Sequence, residues 1–104
     1  MKRRIDMETI KSIMFSGHYQ DQYPTCDFWQ VTTDYDASMG NPALTLAVSM
    51  DSTAENIANE YASRFLYCNY YDAEDESEFL AGRPVTIHLT APDGTETEHP
   101  ATFR

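Results

Sequence analysis

The sequence predicts an α+β fold: a single small domain in which an antiparallel sheet carries two helices packed on one face, in the order α-β-β-α-β-β. Two stretches place apolar residues at three- and four-residue steps, as amphipathic helices do. Four others alternate apolar with polar residues or are rich in β-branched and aromatic residues, as strands are. The length of 104 residues leaves room for one core, so we expect residues 1–104 to form one acidic domain.

The first helix is predicted near the N-terminus. Asp6 is suited to the N-cap position, with Ile5 and Ile10 on either side of it as a hydrophobic staple, and Gly17 is a natural end for the helix. The predicted buried stripe consists of Met7, Ile10, Ile13 and Met14. Residues 18–24 are polar and aromatic, and we expect a loop there.

Two strands are predicted next. Residues 26–35 are rich in aromatic and β-branched residues, and a strand would place Phe28 and Trp29 on opposite faces. Residues 36–42 contain Gly40 and Pro42 and are expected to turn. Residues 43–50 then alternate regularly and predict a strand with one buried face. The buried face would carry Leu44, Leu46, Val48 and Met50.

The second helix has the strongest sequence signals. Ser52 and Glu55 have the spacing of a capping box, and the helix should continue to about Tyr67. The predicted apolar stripe contains Ala54, Ile57, Ala58, Tyr61, Phe65 and Cys68 or Asn69, and the predicted solvent side contains Asn56, Asn59, Glu60, Ser63 and Arg64.

The C-terminal residues predict a hairpin. Val85, Ile87 and Leu89 alternate with polar residues, as in a half-buried strand. Residues 91–94 read Ala-Pro-Asp-Gly, a strong turn signal. Residues 95–98 alternate Thr with Glu, and Pro100 follows, which is typical of an edge strand that discourages unwanted pairing.

Charge is the most unusual property of the chain. The formal net charge is −10, and between residues 5 and 103 three bases stand against seventeen acids. Such a body repels nucleic acid and anionic membranes and attracts basic proteins at long range. We therefore expect no direct nucleic-acid or membrane partner, and a basic, nucleic-acid-binding protein as the partner. No apolar run approaches the length of a signal or membrane segment, which predicts a cytoplasmic protein, in the host cytosol if it is phage-encoded.

An acidic run flanked by tyrosines follows the second helix. As a solvated, frayed helix end it would have no function, which is the commoner case for a charge run. The alternative is a partner-binding surface, because tyrosines beside carboxylates supply stacking area and hydrogen-bonding tips. The predicted partner-binding residues are Tyr67, Tyr70, Tyr71, Asp72, Glu74, Asp75, Glu76 and Glu78. Trp29, Asp34 and Asp36 form a second candidate patch.

The chain lacks the common catalytic and cofactor motifs. It has no glycine-rich phosphate loop, no G-x-S-x-G and no H-E-x-x-H. Residues 34–38 begin like a calcium loop, but Met39 stands at the sixth position and Thr45 at the twelfth. Cys26 and Cys68 have no CxxC spacing and are expected to be buried free thiols, with a disulfide between them as the alternative. We expect no enzyme activity, no metal and no cofactor.

In size, charge and aromatic content the chain is similar to small acidic phage proteins that block host defence complexes, including some anti-CRISPR proteins and DNA mimics. The likeness includes no shared motif, so no residue's role carries over from it. It implies a non-enzymatic inhibitor of a basic, nucleic-acid-handling protein. The main alternative is a small phage or mobile-element structural or assembly protein whose acidity serves solubility. Adaptation to high salt and a small enzyme without a recognisable motif are the remaining alternatives.

Overall fold

The computed structural model describes residues 9–14, 21–66 and 82–104, which form a five-stranded antiparallel sheet with two helices. In chain order the elements are β1 (Ile10–Met14), β2 (Cys26–Thr33), α1 (Asp34–Ser38), β3 (Leu44–Ser49), α2 (Ala54–Phe65), β4 (Pro84–Thr90) and β5 (Glu96–Thr102). The predicted α+β class is confirmed, whereas the predicted order α-β-β-α-β-β is wrong in its first half. Neither described helix is long and apolar enough to cross a membrane.

The strands lie in the order β1-β3-β2-β4-β5, and every neighbouring pair is antiparallel. β1 and β5 are therefore the two edges, and the predicted edge position of the last strand is confirmed. The register pairs Val31 with Leu44 and Pro84 with Thr102. Consequently the end of β2, the start of β3, the start of β4 and the end of β5 lie together at one end of the sheet.

The core lies between α2 and one face of the sheet. α2 contributes Ile57, Ala58 and Tyr61, all at most 6% exposed. The ring of Tyr35, in α1, packs edge-on against Phe103 with centroids 5.8 Å apart, so α1 covers the same face. Full burial of an aliphatic side chain such as that of Ile57 contributes about 1.5–3 kcal/mol to the free energy of unfolding. The sheet contributes Ile10, Trp29, Val31, Leu46, Val48, Val85, Ile87 and Leu89.

The predicted first helix is a strand where the structure describes it. Ile10 pairs with Val48 and Ile13 pairs with Leu46, and the register shifts between Ile10 and Ser12. The extra residue puts Ile10 and Ile13 on the same face although they are three apart, which is the spacing of a helix. The bulge therefore explains the wrong prediction. The predicted cap and staple residues before Thr9, and Gly17, lie outside the described residues.

The predicted turn at residues 36–42 begins inside a short helix. β2 ends at Thr33, two residues before the predicted end, and α1 begins there. The Thr33 hydroxyl oxygen accepts a hydrogen bond from the Asp36 backbone N–H at 3.0 Å, which caps the new helix. Gly40 follows with φ +80°, a conformation that favours glycine, and the predicted β3 strand then begins at Leu44. Met50, predicted to be buried, lies beyond the strand and is exposed.

α2 forms as predicted, with two corrections. The N-cap is Thr53, whose hydroxyl oxygen accepts from the Asn56 N–H, while the Ser52 hydroxyl donates to the Ser49 carbonyl. The Ser52–Glu55 capping box is therefore wrong by one residue. Glu60 was expected on the solvent side, yet it is 1% exposed.

Glu60 is buried because its carboxylate binds the backbone of the edge strand β1. Oε1 accepts from the Thr9 N–H at 2.8 Å, and Oε2 accepts from the Ile10 N–H at 3.0 Å. Arg64, one turn later in α2, forms an ion pair with Glu60 and donates to the Ile10 carbonyl at 3.1 Å. We call these four residues the Glu60 clamp. It supplies partners that an edge strand would otherwise lack, and it neutralises the buried carboxylate.

The hairpin between β4 and β5 forms at the predicted turn. The Gly94 N–H donates to the Ala91 carbonyl at 2.9 Å, and Gly94 has φ +93°. The Asp93 carboxylate accepts from the Thr95 backbone N–H at 2.9 Å. That bond, followed by one from the Thr95 hydroxyl, lowers the pKa of Asp93, so this carboxylate stays ionised to lower pH than an isolated one.

Replacing Glu60 with Gln should destabilise the protein by about 2 kcal/mol or more. The amide nitrogen takes the place of one acceptor oxygen, which leaves a buried N–H of β1 without a partner and Arg64 without its counter-charge. Urea unfolding measures the loss. The matched control is Glu55→Gln, on the exposed first turn of α2, for which we expect less than about 1 kcal/mol. Equal losses in the two variants would contradict the role assigned to the clamp.

Candidate interaction surface

The predicted partner-binding residues, Tyr67 to Glu78, lie outside the described residues, but the residues flanking segment 67–81 are described. The Leu66 carbonyl accepts from the Arg104 N–H, and the Gly82 N–H donates to the Phe103 carbonyl, each at 3.0 Å. Phe103 and Arg104 are consecutive, so the two residues that flank the segment lie beside the same short piece of backbone. We call Leu66, Gly82, Phe103 and Arg104 the C-terminal corner.

The second candidate patch is not formed. Trp29 is buried on the helix-covered face of the sheet, and its indole N–H finds no hydrogen-bond partner among the described residues. Asp34 lies five residues further along, roughly 16 Å away at the rise of a strand. Its carboxylate accepts from the Thr86 N–H at 3.0 Å, which extends the contact between β2 and β4 past the end of the strand. The grouping with Trp29 was therefore wrong, because the indole packs into the core.

Asp36 is held by neutral partners. Its Oδ2 accepts from the Thr33 hydroxyl at 3.1 Å, and its Oδ1 accepts from the Asn41 side-chain amide at 3.2 Å. These bonds fix the direction of the carboxylate without neutralising its charge. They also show that the calcium-like residues 34–38 form a short helix instead of a metal loop. In the part of the chain that the structure describes, no group of three or more metal-ligating side chains occurs.

A cleft of about 320 Å³ lies beside α1 and was not anticipated from the sequence. Its residues come from β2, α1, the loop before β3, β3 and α2, so only the folded chain brings them together. The sequence assigned Asn41 and Pro42 to a turn and Tyr61 to the core, and no local pattern indicates a cavity between them. We call it the α1 cleft; it is lined by Val31, Thr32, Asp36, Asn41, Pro42, Leu44 and Tyr61.

The described carboxylates do not gather on one surface. Asp34 and Asp36 lie at the end of the sheet that carries α1, whereas Asp51 and Asp93 lie in turns at the opposite end. Glu98 lies on the face away from the helices, where its Oε2 is 3.7 Å from Nδ1 of His88. Seven of the seventeen acids, including the predicted acidic run, lie outside the described residues.

The face of the sheet opposite α2 carries mainly polar and small side chains where it is described, together with Phe28 and the buried Met14. Cys26 is a free, half-buried thiol on this face, and His88 shares the face with it. His88 is opposite Thr32 in the register, and Cys26 is six residues before Thr32, so the two groups are roughly 20 Å apart. His99 lies on the helix-covered face, where its ring Nε2 is 2.9 Å from the Thr97 hydroxyl oxygen. Cys26 therefore has neither of these histidines beside it.

Comparison with known proteins gave no relative: no protein-family model, no curated protein and no solved structure matches the chain.

Proposed function

We propose that the protein is a non-enzymatic acidic protein that inhibits or occupies a basic, nucleic-acid-handling protein complex, in the manner of nucleic-acid mimics, anti-CRISPR proteins and other phage counter-defence proteins. The observation that carries the proposal is that the middle of the chain contains a single Lys or Arg, which is already bound within the fold. Residues 12–82 contain one Lys or Arg, Arg64, and it is bound to Glu60 and to the Ile10 carbonyl.

The other carboxylates of residues 12–82 have no second Lys or Arg within that range to pair with. Residues 21–59 carry six carboxylates and no Lys or Arg, and each of the six is exposed or partly exposed. Asp34 and Asp36 accept hydrogen bonds from uncharged donors, which leaves their charge in place. A basic surface would supply the missing counter-charges, and its attraction would act over a Debye length, about 8 Å at physiological salt.

The proposed contact region is the tyrosine-flanked acidic run of segment 67–81. The C-terminal corner holds both flanks of this segment, and Tyr35 packs on Phe103 at the same corner. The described residues that flank the segment, Leu66 and Gly82, therefore lie at the end of the sheet that also carries Asp34, Asp36 and the α1 cleft. Carboxylates and tyrosines presented from this end of the sheet would offer a basic partner the charge and the stacking area that nucleic acid offers.

One observation favours a second candidate function. The described carboxylates are distributed over both ends of the sheet and the face opposite α2, which is what solubility alone requires. A small structural or assembly protein of a phage or mobile element would have this distribution without a basic partner. The two functions differ in whether nucleic acid competes with the partner.

Affinity capture from a lysate of the native host, with the bound proteins identified, tests the proposal. We expect the immobilised protein to retain a basic nucleic-acid-binding protein that a DNA duplex displaces and that about 0.5 M salt releases, because both compete for the same charges. Capture in which DNA displaces nothing would contradict the proposal and would leave the solubility role as the better explanation.

Reversing Asp72, Glu74 and Glu76 to Lys should abolish binding to the captured partner and leave the unfolding transition in place. We expect a loss of at least about 100-fold, since each reversal replaces attraction with repulsion. Reversal of Asp21, Glu55 and Glu96, which are exposed elsewhere, gives the same change in net charge and should weaken binding far less. Unchanged binding in the first variant, or equal losses in both, would remove the proposed contact region.

A further inference from the structure

The α1 cleft has the composition of a site for one long cationic side chain. Four of its lining residues, Val31, Pro42, Leu44 and Tyr61, are aliphatic or aromatic, and the polar end is the hydrogen-bonded pair of Asp36 and Asn41. A volume of about 320 Å³ is at the lower end of the range for ligand pockets. A group that fits must therefore be small, largely apolar along its length and polar at its tip.

The Asp36 carboxylate is positioned in advance and still charged. Two neutral donors, the Thr33 hydroxyl and the Asn41 amide, hold one oxygen each. An ionised carboxylate has about four acceptor positions, so it can accept further hydrogen bonds from a ligand. Among the described residues that line the cleft there is no Lys, Arg or His. The charge at the polar end of the cleft thus has no counter-ion among them.

We propose that the α1 cleft binds an arginine side chain of the basic partner. The aliphatic stem would lie against Leu44 and Pro42, and the guanidinium would reach Asp36. A guanidinium pairs with a carboxylate through two parallel hydrogen bonds, and its flat face stacks on an aromatic ring such as that of Tyr61. The proposal rests on the proposed function, and it adds a defined contact at the end of the sheet that carries the C-terminal corner.

The test is an NMR titration of the protein with N-acetyl-arginine amide, with N-acetyl-citrulline amide as the neutral isostere. We expect saturable shifts of the backbone amides of Asp36, Asn41 and Leu44 with arginine and none with citrulline. Asp36→Asn should weaken arginine binding about tenfold or more, because a charge-assisted pair is lost. Asp51→Asn, an exposed carboxylate at the other end of the sheet, is the matched control and should not change it.

Equal shifts with arginine and citrulline, or arginine shifts spread over exposed carboxylates without those of the cleft, would overturn the proposal in the wild-type protein, whether or not Asp36→Asn folds. Binding of the captured partner distinguishes a failure of the cleft proposal from a failure of the proposed function. Full, DNA-competed binding of the partner with no arginine in the cleft refutes the cleft site alone. Arginine binding in the cleft without any DNA-competed partner refutes the proposed function and keeps the cleft site.

Discussion

The buried Glu60 carboxylate is the interaction on which the rest of the structure depends. It joins α2 to the edge strand β1 through two backbone N–H groups, and Arg64 completes the contact by binding both the carboxylate and a β1 carbonyl. β1 is five residues long and has one strand neighbour, β3. Without these contacts, Glu60 would be a buried, unpaired charge in α2, and the edge strand would lose the hydrogen-bond partners on its outer side.

The clamp also has a consequence for the surface charge. Arg64 is the one Lys or Arg among residues 12–82, and its guanidinium is occupied by Glu60 and the Ile10 carbonyl, with its carbon Cζ 4.8 Å from the centre of the Phe65 ring. Among the described residues, the six carboxylates of residues 21–59 form no ion pair, so they are left to solvent, to uncharged donors or to a partner protein. The stability of the fold and the proposed attraction for a basic protein therefore depend on the same arginine.

The sequence predicted the parts of the fold that local patterns determine. The alternation around Leu46 located β3, and the Pro-Asp-Gly turn located the last hairpin. β1 was predicted as a helix because a bulge gives Ile10 and Ile13 helical spacing, and a bulge is visible only against the partner strand. Glu60 looked solvent-facing because its partners are backbone groups fifty residues away in sequence. The α1 cleft could not be predicted, since four separate elements and a loop form it.

Amide hydrogen exchange in the wild-type protein tests the role of the clamp most directly. If Glu60 holds β1, the N–H groups of Thr9 and Ile10 should exchange slowly, at rates close to that of the Val48 amide in the neighbouring strand β3. Exchange of Thr9 and Ile10 at the rate of an exposed turn such as Gly40 would show that the carboxylate does not hold the strand. The contact of Arg64 with the Ile10 carbonyl would then be contradicted as well.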